Sequence, residues 1–334
     1  MPDARWGLTL PFPGVGLADS VPLIQQAERD GFDDLWTGDT SGPDGFTPLV
    51  LAAAHTERIR LGTGIVNPFT RGPAVLAQHA AALQDASRGR FVLGLGSSSN
   101  VIVQRWNGVT FEKPLSRVRE AVQRLRPVLA GERGMGGFRL DQAPAVPVPI
   151  YVAALRERML RLAGEIADGC FVNFLPVSAV ETVVGHIRAG EQAADKAPGS
   201  VDVVCRFMNI SQPRDEGIGL ARWMFAAYAT VPVYSAFFRW LGWGEELDPM
   251  LAAWQAGERQ RALELVPDRL IDEVFVFGSA AQQHERLAQF AAAGVRTLIL
   301  TPIAPAPELE RVIGELARAS SQRGPARAGG PTDP

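Results

Sequence analysis

Cysteine is nearly absent from these 334 residues: Cys170 and Cys205 stand alone, each among apolar neighbours. Two such thiols cannot build a disulfide framework or a cysteine metal cluster, so both read as buried core residues. Histidine is scarce as well. His55, His79, His186 and His284 all fall within stretches of helical spacing, which leaves no histidine for a strand-end base or a metal site. Of 33 basic residues only Lys113 and Lys196 are lysines, a codon bias that says nothing about a site. No run of eighteen apolar residues occurs, and no basic segment followed by an apolar run opens the chain, so neither a membrane span nor a secretion signal is expected and the location reads as cytoplasmic. A net charge of -3 without a basic block argues against nucleic acid or an anionic membrane as partner. A small molecule is what remains.

What is present is a rhythm. Strand-like stretches begin near residues 6, 33, 60 and 90, and each is followed by helical spacing, for instance Pro73 to Ser87 and Leu115 to about Arg126. After a Gly- and Pro-rich connection from 131 to 149 it resumes with Ile150 to Ala154, Cys170 to Leu175, Asp202 to Ile210 and Thr297 to Thr301. Eight strands, each with its helix, predict a (β/α)8 TIM barrel. The competing arrangement is a doubly wound sheet. Against it, the first βα turn carries Gly14 and Gly16 but Asp19 where a dinucleotide fingerprint needs its third small residue.

Residues 213 to 275 exceed one repeat and are rich in aromatics, among them Trp223, Phe225, Tyr228, Tyr234, Phe237 and Trp243. A helical insertion after strand seven is expected, either as an extra packed layer or as a lid. Residues 1–319 read as one domain, and 320–334, without periodicity, as a disordered tail.

Barrels place chemistry at the C-terminal ends of their strands. Here these ends offer Asp39 and Thr40, Gly64 and Ile65 with Asn67, Gly96 followed by Ser97, Ser98 and Ser99, then Leu155 and Arg156, Asn173, and Arg206. Asp39 has a plainer reading as a helix cap or an arginine's partner. The serines form a ligand loop rather than an N-cap if the next helix starts only after Pro114. Trp106 is a core aromatic or a pocket wall. Arg206, inside an apolar strand, needs an anion, either Asp168 or Glu165 or a substrate. With no metal cluster and no Ser-His-Asp or Cys-His pair at strand ends, a cofactor with its own chemistry fits better than hydrolysis.

The segments Leu61-Gly62-Thr63-Gly64-Ile65-Val66-Asn67-Pro68, Arg90 to Gly96, Tyr151 to Leu155, and Ala167-Asp168-Gly169 before Asn173 resemble the bacterial luciferase-like monooxygenase superfamily. The spacing through Phe111-Glu112-Lys113-Pro114 and Val276-Phe277-Gly278-Ser279 resembles its branch that uses the deazaflavin coenzyme F420. The resemblance implies a TIM barrel, a homodimer, and a deazaflavin or FMN ring across the barrel mouth. Gly64 and Ile65 would form the bulge under the ring, with a nonprolyl cis peptide between them. Asp39 would approach the ring edge, Ser97 and Ser98 would flank the cofactor tail, and the backbone at Leu155 and Arg156 would meet the phosphate. Asn67, Gly96 and Asn173 complete the cofactor contacts, and Trp106 and Arg206 shape the substrate pocket.

Relatives that oxidise sugar phosphates carry a histidine after the aspartate of strand two and a glutamate where this chain has Ser99; the first of these positions is Thr40 here. Alcohol oxidation needs a strong base, so reduction of an activated C=C or C=N bond is the expected direction, with Asp39 orienting the ring and the hydroxyls of Thr40 or Ser99 relaying a proton. The alternatives are an FMN-dependent monooxygenase and a non-enzymatic flavin-binding protein.

Overall fold

The computed structural model describes residues 4–321. The strands are β1 (Arg5–Thr9), β2 (Asp34–Thr37), β3 (Arg60–Thr63), β4 (Phe91–Leu95), β5 (Ile150–Ala153), β6 (Gly169–Asn173), β7 (Asp202–Ile210), β8 (Phe275–Phe277) and β9 (Thr297–Ile303). β1 to β7 pair in order and in parallel, and β9 pairs with both β7 and β1. Eight strands therefore close a parallel barrel, as the rhythm predicts. β8 was not foreseen. β7 is nine residues long, and its first five pair with β6 while its last three pair with β8 on the stretch that outruns β6.

Alternate side chains of each strand point into the barrel. Trp36, Val92, Tyr151, Phe171, Val204 and Ile299 fill its centre and are all buried. A side chain on Gly62 would collide with this packing, since its Cβ would lie 2.4 Å from the Trp36 ring. The N-terminal end is closed by charge. Asp34 is fully buried and accepts from Arg60 at 2.6 and 2.9 Å and from Arg5 at 2.8 and 3.2 Å. Beside it, the hydroxyls of Tyr151 and Thr297 both donate to Asp202 at 2.9 Å. A network at this end of a barrel supports the fold rather than the chemistry.

The outer helices start where their sequences allow. Pro73 and Pro114 occupy first positions, where a missing N–H costs nothing, in Pro73–Ala86 and Pro114–Leu129. The second helix buries Val118, Val122, Leu125 and Leu129 as one stripe. Ser279 and Gln282 cap Ala280–Ala293 reciprocally.

The insertion comprises the helices Arg214–Ala229, Pro232–Trp240, Gly244–Gln255, Arg259–Glu264 and Asp268–Val274. Phe225, Phe237 and Phe238 are fully buried, and Trp243 stacks on Phe238 at 5.5 Å, which makes much of it a packed layer. All four histidines lie in helices, and both cysteines are buried and unpaired. Among the described residues no helix is long and apolar enough to cross a membrane. The expected tail lies outside the described residues from 322 onward; residues 320 and 321 end the last helix, Leu309–Ser321.

Candidate active site

Above the sealed barrel centre, the C-terminal strand ends are half-open. Gly38, Gly64, Ile65, Ala153, Arg206 and Thr301 are all partly exposed. These positions divide by chemistry. On the β2 to β5 side the residues are small or apolar; on the β6, β7, β9 and β1 side they are polar, with Asn173, Arg206 and a Thr301 hydroxyl that bonds Thr9 at 2.9 Å.

The floor of the apolar side is the Gly64–Ile65 turn, whose peptide is cis. It fits because both neighbours lack bulk. A Cβ on Gly38 would lie 2.6 Å from the Ile65 nitrogen, and one on Gly64 would lie 2.6 Å from the Phe171 ring. The Asp39 N–H donates to the Ile65 carbonyl at 2.9 Å and ties the β2 loop to this floor. Gly96 is buried beside Ile65 and Ala153.

The Asp39 side chain has the arginine partner that the plainer reading named. Arg71 grips it with both terminal nitrogens, the Nη2 bond being 3.0 Å, and the Gly45 N–H donates to Oδ1 at 3.0 Å. Both carboxylate oxygens are engaged, Oδ1 by Arg71 and Gly45 and Oδ2 by Arg71, so Asp39 is held in place at the end of β2. Sequence reasoning missed Arg71, which lies 32 residues away with no local pattern linking the two. Asn67 is buried, and its side-chain carbonyl accepts from the Phe69 and Thr70 N–H groups at 3.1 and 3.0 Å, holding its own turn. Thr40 is exposed, and its hydroxyl oxygen accepts from the Gly42 N–H at 3.4 Å.

Ser97, Ser98 and Ser99 are half-buried, and Ser98 adopts φ 60°, a left-handed conformation that a serine rarely holds without a local reason. The expectation that no helix follows until Pro114 is corrected. A wide helical turn, Val101–Trp106, begins directly after Asn100, and the Ser99 hydroxyl accepts from the Ile102 N–H at 3.3 Å. Its β-branched start, Val101-Ile102-Val103, hid it from propensity. Trp106 ends that turn 56% exposed, so it is no core aromatic. At β5, Arg156 is exposed and extended ahead of the helix Glu157–Ile166, whose first N–H groups have no side-chain cap.

Arg206 finds neither of the structural anions named for it. Asp168 is taken by Arg126 and the Ile150 N–H, and Glu165 by Arg119. Among the described residues Arg206 has no carboxylate partner; its Nε donates to Asn173 Oδ1 at 3.2 Å and its Nη2 reaches the Tyr228 hydroxyl at 3.5 Å. Asn173 Nδ2 in turn donates to the Tyr234 hydroxyl at 2.8 Å. Burial first, and then the neighbouring Tyr228, push the Tyr234 phenol up to about 12. The insertion is thus a packed layer from which Tyr228 and Tyr234 reach Arg206 and Asn173.

The mouth thus carries small and apolar residues on one side and, among the described residues, a cation without a carboxylate partner on the other. The family model for the luciferase-like monooxygenases matches residues 8–297, and the chain belongs to that family. A 5,10-methylenetetrahydromethanopterin reductase of Methanolobus tindarius is 36% identical over 205 residues, 57% of this chain. The match spans 62% of that reductase, less than two thirds of its length. A coenzyme F420-dependent tetrahydromethanopterin reductase from Methanopyrus kandleri superposes with a TM-score of 0.78 at 24% identity, covering 95% of this chain and 98% of the other. An F420-dependent secondary alcohol dehydrogenase, solved with an F420-acetone adduct, gives 0.76 at 17% identity, covering 95% and 99%. At such identities the two structures speak for the fold.

Proposed function

We propose that the chain is a coenzyme F420-dependent oxidoreductase that reduces an activated C=C or C=N bond of a small organic substrate. The observation that carries this reading is the mouth itself. Gly38 and Gly64 let the end of β2, the Gly64–Ile65 turn and the Phe171 ring pack directly on one another, and the partly exposed Gly64, Ile65 and Ala153 above that packing offer a small, apolar surface on which a ring system can lie. When bound, the reduced deazaflavin supplies a hydride.

The chain's own residues do the rest. Ile65, Gly64 and Gly96 support the ring from below, and Asp39, fixed by Arg71 and Gly45, positions the β2 loop at its edge. Asn67, buried and holding its own turn, shapes the β3 loop, and Asn173 is engaged by Arg206 and Tyr234, whereas Ser97 and Ser98 would flank the cofactor tail with Leu155 and Arg156. There the uncapped N–H groups of Glu157–Ile166 suit a phosphate. The hydroxyl oxygens of Thr40 and Ser99 each accept a backbone N–H, which leaves their hydrogens free to relay a proton from water. Trp106 and Arg206 line the substrate side.

Reduction is favoured over alcohol oxidation because no histidine stands at the mouth and the Asp39 carboxylate is held by Arg71 and the Gly45 N–H. Relatives named as reductases support this direction, whereas one structural neighbour is named a secondary alcohol dehydrogenase. The proposal extends to a cytoplasmic homodimer, with Val50 and Val75, 50% and 43% exposed on the neighbouring helices Thr47–His55 and Pro73–Ala86, as contact residues. Titration with oxidised F420 and with FMN, followed by fluorescence quenching, tests the cofactor. Tight FMN binding without a deazaflavin response would overturn F420 and favour the monooxygenase.

A further inference from the structure

The hydrogen bonds around Arg206 have a fixed direction. A guanidinium only donates, so the Asn173 atom 3.2 Å from Arg206 Nε must be the amide oxygen. The other amide atom is then the NH2, which also only donates, and it faces the Tyr234 hydroxyl at 2.8 Å. Tyr234 is therefore an acceptor in this contact. Tyr228 is an acceptor too, because its 3.5 Å partner is Arg206. No described acceptor faces either phenol hydrogen. The rings are held by packing, with Phe174 4.4 Å from Tyr228 and 5.8 Å from Tyr234, and the two phenol rings edge to face at 5.1 Å.

A cation without a carboxylate and two phenol hydrogens without acceptors, together at the polar side of the mouth, make a cluster of donors with nothing to receive them. We propose that Arg206, Tyr228 and Tyr234 bind an oxygen of the substrate that is conjugated to the double bond being reduced, and hold the negative charge that reduction places on it. The substrate class is then a conjugated carbonyl compound. This rests on the reductase reading above. In such a substrate the hydride's electron pair forms the new C–H bond at the far carbon, and the displaced π pair moves through the conjugated system to the carbonyl oxygen. A proton from water, taken up at the near carbon, completes the saturated product. Donors already fixed by Asn173 and by ring packing need no reorganisation to meet that charge.

The high phenol value of Tyr234 agrees with a hydroxyl that keeps its hydrogen. Tyr234→Phe keeps the ring and removes the hydroxyl, which is both the proposed donor and the acceptor of the Asn173 amide, whereas Tyr228→Phe leaves the Asn173 contact in place. The test uses F420-loaded protein, so that the ring site is filled, and two probes of one shape: 4-nitrophenolate, which carries an oxyanion, and 4-nitroanisole, which does not. Both are titrated at one pH at which the phenol is ionised, the first by its visible band shift. The anion is expected to bind at least about tenfold more tightly, and Tyr234→Phe and Arg206→Gln are each expected to weaken it about tenfold while leaving 4-nitroanisole unchanged. If Tyr234→Phe does not fold, Tyr228→Phe reads the same donor set.

Equal binding of the two probes by the F420-loaded protein, or nitrophenolate affinity untouched by these variants, would overturn the inference while leaving the cofactor reading intact. So would an Arg206→Gln protein that loses F420 but not nitrophenolate, since the cation would then serve the cofactor. Failure of F420 to load at all would strike the functional reading instead.

Discussion

Replacing Arg71 with methionine removes both donors that grip Asp39 and leaves its carboxylate with the Gly45 N–H, 3.0 Å away. The two side chains are 18% and 12% exposed, between a surface pair and a sealed one. Exposed pairs contribute at most about 1 kcal/mol, and breaking a buried pair costs about 3 to 5 kcal/mol. An Arg71→Met loss of about 2 to 3 kcal/mol is therefore expected, with a similar loss for Asp39→Asn, which turns an amide NH2 toward the guanidinium. Because each single variant strands the other group, the double variant should lose less than the sum. A coupling of about 1.5 to 2.5 kcal/mol is expected from urea unfolding of the four proteins. Additivity within about 0.5 kcal/mol would refute the claim that Asp39 is held by Arg71.

Two further outcomes separate the ends of the barrel. Asp34→Asn leaves Arg60 without its main counter-ion at the N-terminal end. It should cost about 3 kcal/mol in urea unfolding, with F420 affinity within about twofold of the parent, because the site lies at the other end. Arg156→Ala should weaken F420 by about twofold to fivefold, and Arg156→Glu by more, with both differences shrinking as salt rises. Equal affinity of all three proteins at low salt, read by fluorescence quenching, would show that Arg156 does not face the phosphate.

The fold was legible because its signals repeat: four apolar strands starting at residues 5, 34, 60 and 91, and four more after a long connection, each followed by helical spacing, can be read without knowing what they touch. The cis peptide at Gly64–Ile65 was expected from the family resemblance that the run Leu61 to Pro68 carries, not from the residues by themselves. What escaped was set by contacts distant in sequence. Arg71 meets Asp39 across 32 residues, and nothing near either names the other. Tyr234 meets Asn173 across 61 residues, so the insertion's aromatics could be seen as a group but not sorted into core and mouth. The turn Val101–Trp106 was hidden by a β-branched start, and β8 by having only three residues. Arg206 was expected to need an anion, yet both carboxylates named for it are held by other arginines and its own partners are the neutral Asn173 and Tyr228.

The central claim is reduction by F420 at this mouth, and single-turnover chemistry tests it most directly. Reduced F420 bound to the protein is mixed with a panel of enones and imines, and oxidised F420 with alcohols and sugar phosphates, while the deazaflavin absorbance is followed. Oxidation of the cofactor by the first panel, slowed in Asp39→Asn combined with Thr40→Val, is the expected result. Turnover confined to the alcohols and sugar phosphates would contradict the reductase assignment, and unchanged rates in the double variant would contradict the roles given to those two residues.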